Sequence, residues 1–157
     1  MNDPNRTVED LWVTLDATDL NFIHRIDSER LAIERERLPT RRRDSLKTPT
    51  YSLKNRFNMW ESLIHRMEGR WEPSGYYLID EYLNDLTSRS TLAEILHDAP
   101  SGTREKMEET LATLDKRFFD QSEFDQGAEL GRWRSAKPAA IIDFLWERRP
   151  INLPWDH

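Results

Sequence analysis

The amino-acid sequence predicts an all-α protein, a single compact helical bundle of about five to seven helices with irregular connections and a C-terminal tail. Two stretches carry this prediction, because their apolar residues recur at steps of three and four and so form a stripe along one helix face. The first follows Pro49 and consists of Leu53, Phe57, Trp60, Ile64 and Met67. The second consists of Met107, Leu111, Leu114 and Phe118. We expect Gly69 to end the first helix in a left-handed conformation and Ser101 to cap the second.

The chain between these two helices predicts two shorter ones. Residues 76–86 (YYLIDEYLNDL) are typical of a helix entered through the turn-forming residues 73–75 (PSG). A further helix restarts at Ser88 or Ser90, contains Leu92, Ile95 and Leu96, and stops before Pro100, because the residue before a proline disfavours the helical conformation.

The first forty residues predict one broken helix or two helices, with Pro39 as the stop. Asp19 and Glu29 interrupt the apolar stripe on which this prediction depends. The stripe consists of Val8, Trp12, Leu15, Phe22, Ile26 and Ile33. A strand at 11–15 (LWVTL) is the alternative.

Near the C-terminus, Pro138 suits the first turn of a helix that runs through Ile141, Ile142, Leu145 and Trp146 until Pro150 ends it. We expect the tail INLPWDH to place Trp155 against the body of the fold. The connection 120–137 contains two glycines, so we expect it to be mobile. At 157 residues, with six Trp, six Phe and four Tyr, the chain predicts one domain, 1–157, with an aromatic-rich core.

The sequence lacks the residues that several functional classes require. The chain has no cysteine, which excludes disulfides, thiolate metal sites and cysteine nucleophiles. Its five glycines, at 69, 75, 102, 127 and 131, form no phosphate-binding loop, and no nucleophile motif is present. The sequence begins MNDPNRTVEDLW, without a signal pattern, and no apolar run approaches a membrane span of about 18 residues. We therefore expect a cytoplasmic, non-enzymatic protein without a cofactor or membrane contact.

Charge is segregated along the chain. The basic segment, 41–56, contains six Lys or Arg and one acid, a net charge of +5. Since the whole chain carries −6, the other 141 residues carry −11. Such segregation is typical of a surface that pairs with another part of the fold or with a partner. Pro39 and Pro49 both disfavour a continuous helix here, so we interpret residues 41–52 as a basic connection between helices.

One hypothesis for the basic segment is a nucleic-acid-associated regulator, because clustered cations release counterions from a phosphate backbone. The candidate contacts are Arg41, Arg42, Arg43, Lys47, Lys54 and Arg56. The sequence pI of about 5.3 weighs against it, since nucleic-acid-binding domains are usually basic as a whole. The alternative interpretation is a connection whose arginines pair with acids of the same chain.

Histidines and carboxylates at helical spacing suggest a less favoured hypothesis, a metal-dependent helical enzyme. Glu94 and His97 are three residues apart, and Glu61 and His65 are four apart, so each pair lies on one helix face. Di-iron bundles use two Glu-x-x-His motifs, and this chain has one. We therefore predict no metal ligand.

The acidic remainder gives the leading hypothesis. Residues 57–100 carry eight acids against three Lys or Arg, and three tyrosines lie among the acids of 72–85. Carboxylates steer a basic partner and tyrosines supply contact area, so we expect an acidic helical surface that binds a basic protein. With Leu78, Tyr82, Leu83 and Leu86 taken as buried, Tyr77, Asp80, Glu81, Asn84 and Asp85 should face outward. The predicted partner-binding residues are Glu72, Tyr76, Tyr77, Asp80, Glu81 and Asp85.

The short segments EYLNDL (81–86) and LDKRF (114–118) resemble short bacterial proteins of uncharacterised function, and no site residue can be carried over from them. The profile of a small, acidic, cysteine-free, Trp-rich helical domain is similar to that of bacterial immunity proteins and antitoxins. Such proteins neutralise a basic toxin by covering its active site. This likeness, which is one of composition, implies a non-enzymatic protein-binding module.

Overall fold

The computed structural model describes residues 3–69, 71, 77–125, 130, 144–152 and 154–155, and within them it confirms the predicted all-α bundle. The α-helices are α1 (Val8–Val13), α2 (Ala17–Glu36), α3 (Leu53–Glu68), α4 (Ile79–His97) and α5 (Ser101–Asp120). Two short 3-10 helices span Thr40–Ser45 and Phe144–Glu147, and strands β1 (Ser122–Phe124) and β2 (Arg148–Pro150) pair in an antiparallel register.

The N-terminal region forms two helices, so the strand alternative at 11–15 is wrong. Each helix begins with a reciprocal capping arrangement, in which the first side chain accepts a backbone N–H and a later carboxylate accepts one in return. Thr7 and Asp10 form this arrangement at α1, and Asp16 and Asp19 form it at α2. Asp19, which was expected to interrupt the stripe, therefore helps to start the helix.

Two helices are also capped by carboxylates from other helices. Glu61 of α3 accepts a 2.8 Å hydrogen bond from the backbone N–H of Val8 at the start of α1. Asp27 of α2 accepts a 2.8 Å hydrogen bond from the backbone N–H of Leu53 at the start of α3. Because the first N–H groups of a helix have no partner inside it, these contacts tie each helix end to its neighbour.

Helix α3 forms the centre of the core and packs most extensively against α4. The predicted stripe is confirmed, because all five of its residues are buried: Leu53, Phe57, Trp60, Ile64 and Met67. Gly69 follows the helix as predicted, but its φ of −95° is not left-handed, so that part of the prediction is wrong. The Gly69 N–H still donates to the carbonyl of His65 at 2.9 Å.

Helix α4 is one continuous helix, whereas the sequence predicted a break near Ser88 or Ser90. Both serines are buried within it, and both hydroxyls have partners on other elements. The hydroxyl of Ser90 accepts a 3.2 Å hydrogen bond from the indole N–H of Trp146, and that of Ser88 lies 3.5 Å from the sulfur of Met59. Tertiary contacts therefore replace the capping role for which serine is usually favoured at a helix start.

Helix α5 begins one position earlier than predicted, since Pro100 and not Ser101 occupies the N-cap position and Ser101 is the first helical residue. Arg104 in its first turn donates to the carbonyls of Leu96 and Ala99, both at 3.0 Å, and so satisfies the end of α4. The predicted apolar stripe is confirmed, with Met107, Leu111, Leu114 and Phe118 all buried.

The C-terminal part differs from the predicted helix that starts at Pro138. Residues 138–143 lie outside the described residues, Trp146 lies in a 3-10 helix, and the chain then forms β2. Strand β2 pairs with β1, with Ser122 opposite Pro150, so the first part of the expected mobile loop 120–137 is a strand. Residues 126–129 and 131–137 of that loop lie outside the described residues. Trp155 packs against Tyr82 with ring centroids 5.5 Å apart, as expected for the tail.

The buried apolar side chains of the described residues form one cluster, to which all five α-helices and the C-terminal segment contribute. Trp60, Trp146, Tyr82, Phe57 and Phe118 are its largest fully buried members. None of the helices in the described part of the chain is long and apolar enough to cross a membrane. That the whole chain, 1–157, is one domain stays a prediction.

Candidate functional site

Several carboxylates are buried or half-buried among the described residues, and those of Asp19 and Asp115 join helices. Asp19 of α2 is 2% exposed and accepts hydrogen bonds from Thr103 at 2.5 Å and Lys106 at 2.6 Å, both on α5. Burial alone would raise the pKa of Asp19, but the hydrogen bonds from Lys106 and Thr103 outweigh it and lower the pKa to about 2. This carboxylate is therefore ionised and structural.

Asp115 of α5 joins three helices. Arg89 of α4 donates to both of its oxygens, at 2.9 and 2.7 Å, in the two-point geometry that arginine and carboxylate favour. The indole N–H of Trp60, on α3, donates to one of the same oxygens at 3.0 Å. The three side chains fix the positions of α3, α4 and α5 relative to one another.

Glu34 of α2 holds the chain that leads into α3. It accepts hydrogen bonds from the backbone N–H groups of Thr50, at 2.8 Å, and Tyr51, at 3.3 Å. Arg30 pairs with the same carboxylate at 3.0 Å. The guanidinium groups of Arg30 and Arg56 lie 5.3 and 5.1 Å from the ring centroid of Tyr51, within range of cation–π attraction.

Asp85 of α4 is the exception among these carboxylates. It is 6% exposed, and its only hydrogen bond in the described structure comes from the hydroxyl of Tyr77, at 2.5 Å to Oδ2. No cation lies within ion-pair distance of it in the described part of the chain. Burial therefore raises the pKa of Asp85 to about 6, against the lowering effects of the Tyr77 hydrogen bond and the more distant Arg66.

Asp85 lies in the wall of an open cavity of about 450 Å³ between α3, α4 and the chain before α3. The remaining wall is made by uncharged polar groups, one thioether, one tyrosine and one guanidinium. These side chains are Thr50, Tyr51, Asn55, Asn58, Met59, Ser62 and Arg66. The combination of a buried anion, several hydrogen-bonding groups and an apolar patch can hold a polar group from outside the chain. We refer to it as the Asp85 cavity.

Two of the predicted partner-binding residues, Tyr77 and Asp85, do not face outward, so that prediction of their position is wrong. Both are buried, and they bond to each other. Leu78, predicted to be buried, is 51% exposed. Because α3, α5 and the C-terminal segment all pack around α4, the buried arc of this helix is wider than the stripe of a surface helix.

Asp80 and Glu81 are exposed, as predicted, although Glu81 also caps α4 by accepting a 2.6 Å hydrogen bond from the backbone N–H of Leu78. Glu72 and Tyr76 lie outside the described residues. Of the predicted surface, the structure therefore places Asp80 and Glu81 outside and Tyr77 and Asp85 inside.

The exposed side of α4 extends this acidic surface. Positions along it follow steps of four and three, so those from Asp80 to Glu94 lie on one side of the helix over about 21 Å, and Asp98 follows as the C-cap residue. We call these residues the acidic stripe: Asp80, Asn84, Thr87, Thr91, Glu94 and Asp98. Its three carboxylates are exposed, and none of them forms an ion pair with another described residue.

The basic segment divides into two parts. Arg41, Arg42 and Arg43 are exposed on the 3-10 helix Thr40–Ser45, and Lys47 is exposed just after it. Arg43 donates to the backbone carbonyl of Leu38 at 3.2 Å. In the described structure none of these four cations forms an ion pair, so the alternative interpretation, in which they pair with acids of the same chain, is not seen for them.

The other two basic candidates belong to the fold. Lys54 pairs with Glu9 of α1 at 3.0 Å, and Arg56 is 8% exposed beside Tyr51. Both side chains therefore make contacts within the chain. The candidate nucleic-acid surface is left with Arg41, Arg42, Arg43 and Lys47.

The candidate metal ligands do not converge. Glu61 caps α1, and His65, Glu94 and His97 are exposed at different places on α3 and α4. Among the described residues, no group of three or more His, Asp or Glu side chains is arranged to hold a metal ion.

Sequence reasoning missed the Asp85 cavity. Its available signal was a short run of uncharged polar residues, Asn55, Asn58 and Ser62, at helical spacing beside the apolar stripe of α3. In a chain that is 33% charged, such a run is a departure from the usual solvated face. Asp85 itself gave no signal, because nothing in its spacing separates it from the exposed acids around it.

These features define a helical bundle whose polar core groups mostly join helices and whose α4 carries one acidic side and one cavity. No protein-family model, curated protein or solved structure matches the chain.

Proposed function

We propose that this protein is a non-enzymatic binding module, of the immunity-protein or antitoxin type, that engages a basic protein partner through α4. The observation that supports the proposal is the acidic stripe, whose carboxylates at positions 80, 94 and 98 are exposed and form no ion pair with a described residue. Carboxylates that are not neutralised within the chain attract a basic surface and speed its association. Two of them lie on α4, and Asp98 is its C-cap residue.

The rigidity of α4 supports the same proposal. Arg89 fixes the middle of the helix to Asp115, and Arg104 binds its last carbonyls. A preorganised surface loses little conformational freedom on binding, which favours affinity. Contacts at the middle and at the end of α4 therefore fix the position of the helix that carries the stripe.

The test is a charge reversal that spares the fold. Asp80→Lys with Glu94→Lys changes the net charge by +4, and neither side chain makes a hydrogen bond or ion pair with a described residue. Glu81 is left unchanged because it caps α4. The matched control is Glu29→Lys with Glu36→Lys on the exposed side of α2, which changes the net charge equally.

Native and variant proteins are used to capture partners, and a partner retained by the native protein is then purified and titrated against all three. We expect the α4 variant to lower the association constant for a basic partner at least tenfold at low salt, with the loss in the association rate. The α2 control should retain the native affinity. Equal losses in both variants, or none in the α4 variant, would contradict the proposal.

A second candidate is contact with nucleic acid, which is favoured by the exposed Arg41, Arg42 and Arg43 and their lack of ion pairs in the described structure. Replacing all three by Ala should then weaken binding to duplex DNA or RNA and reduce its salt dependence. Gel retardation at low salt measures this, and absence of retardation by the native protein would end this candidate.

A further inference from the structure

The Asp85 carboxylate is buried without the partners that other buried carboxylates have. Asp19 contacts one cation and two further donors, Glu34 contacts three donors, and the half-buried Asp115 contacts a cation and one further donor. Asp85 has the Tyr77 hydroxyl on Oδ2 and, in the described structure, no donor on Oδ1. A buried carboxylate oxygen without a donor is costly and therefore uncommon in native proteins.

Asp85 lines an open cavity, so a donor from outside the chain can approach its carboxylate there. The groups that face Asp85 are Tyr77 before α4, Arg66 on α3, and Glu81 and Tyr82 on α4. Glu81 lies one helical turn before Asp85 and is exposed, so two acids face one cation there. The balance of charge favours a positively charged occupant.

The shape of the wall favours a particular cation. Guanidinium has five N–H donors in a plane, and the wall offers the Asp85 carboxylate together with the side-chain oxygens of Asn58 and Ser62. Met59 supplies an adaptable apolar surface for an aliphatic stem. An ammonium group has three donors and would leave more of these oxygens without a hydrogen bond.

We propose that the Asp85 cavity receives an arginine side chain of the basic protein partner, with its guanidinium bound to the free oxygen of Asp85. This inference rests on the proposed function, because it supplies the anchor for a partner that the acidic stripe attracts. Arginine is frequent among the few residues that dominate the binding energy of protein interfaces.

Proton linkage gives the site a distinct signature. A bound cation favours the ionised form of Asp85, whose pKa is about 6 in the unbound protein, so binding should weaken as the pH falls through that value.

The experiment uses Nα-acetyl-arginine amide as the probe, titrated into the full chain and followed by amide chemical shifts. The neutral isostere Nα-acetyl-citrulline amide is the control for charge. We expect saturable shifts at Asn58, Ser62 and Asp85 with the arginine probe and none with citrulline. The affinity should fall at least fivefold between pH 7.5 and pH 5.

Three variants test the assignment. Asp85→Asn should lower the affinity for the arginine probe at least tenfold, and Ser62→Leu, which places a larger side chain at the cavity wall, should lower it independently. Arg66→Gln should raise the affinity severalfold, because it removes a like charge from the wall. Glu94→Gln on the acidic stripe, away from the cavity, should leave it unchanged.

The outcome separates this inference from the proposed function. If the probe shifts are scattered over exposed acids, or if Asp85→Asn binds as the native protein does, the cavity is not an arginine site even where the α4 charge reversal abolishes partner binding. Binding of free arginine but not of its capped form would identify a small-molecule site and overturn the docking inference. If the arginine probe binds the cavity and the charge-reversed α4 variant still keeps its partner, the result would support the cavity and contradict the role of the stripe.

Discussion

Thr103 at the start of α5 donates a 2.5 Å hydrogen bond to the carboxylate of Asp19 at the start of α2, and Lys106 holds the other oxygen of that carboxylate. The first turns of two helices that are separated by more than eighty residues are thereby joined at one buried anion. The same carboxylate closes the capping arrangement with Asp16. Its charge is therefore needed in the folded state.

We predict that Asp19→Asn destabilises the protein at pH 7 and has little effect at pH 2. The pKa of Asp19 is lowered to about 2 in the folded protein, against about 3.9 in an unfolded chain. Its stabilisation, on the order of 2 kcal/mol, is present above pH 4 and is lost as the pH falls through the folded value. Chemical unfolding at both pH values measures this, with Glu29→Gln as an exposed control, and an equal effect at the two values would contradict it.

Asp85→Asn should stabilise the protein at high pH, whereas Asp19→Asn should destabilise it. Because the folded state raises the pKa of Asp85 to about 6, the native protein loses stability as the pH rises from about 4 to 6 and stays less stable above that range. Asparagine keeps an acceptor for Tyr77 without the buried charge. We expect the variant to be more stable by about 1–3 kcal/mol at pH 8 and equal to the native protein below pH 4. A destabilised variant at pH 8 would show that the charge of Asp85 serves the fold.

Asp115→Ala should be among the most destabilising polar substitutions in the chain. It removes the acceptor of the Trp60 indole N–H and the two-point partner of Arg89 at the junction of three helices. We expect a loss of about 2–4 kcal/mol in the free energy of unfolding. Tryptophan fluorescence follows both unfolding and the surroundings of Trp60. Glu108→Ala, at an exposed position of the same helix, should stay within about 0.5 kcal/mol of the native protein.

Glu34→Ala should loosen the connection into α3 while leaving the rest of the bundle closed. The backbone N–H groups of Thr50 and Tyr51 lose their acceptor, and Arg30 loses its ion-pair partner. Hydrogen exchange at these two amides should then accelerate at least tenfold, because local opening no longer breaks two hydrogen bonds. The amides in the middle of α5 serve as the internal control. Unchanged exchange at Thr50 and Tyr51 would mean that other contacts close this connection.

The sequence predicts the helices whose apolar spacing is regular and misplaces what depends on tertiary partners. The stripes that begin at Leu53 and Met107 locate α3 and α5, since a 3.6-residue period has few alternative explanations. Ser90 was interpreted as a cap because its partner, Trp146, lies 56 residues away and no local rule reveals it. The strands β1 and β2 have three residues each, too short for an alternating pattern to show.

The candidate site was predicted in part. The exposure of Asp80 and Glu81 follows from the helix that contains them, and the structure confirms it. Tyr77 and Asp85 were placed on the wrong side, because α4 is covered from several directions and its buried arc cannot be inferred from its own residues. The Asp85 cavity depends on how α3 and α4 meet, which sequence spacing alone does not fix.

The helix caps that cross between elements bear on how this protein unfolds. The start of α1 depends on Glu61 of α3, and the start of α3 depends on Asp27 of α2. A peptide corresponding to α1 or α3 alone lacks the carboxylate that accepts the hydrogen bond from its first backbone N–H. We therefore expect such a peptide to fray at its native N-terminus. Fraying of one helix removes a partner from the next, and we expect α1, α2 and α3 to melt as a single cooperative unit.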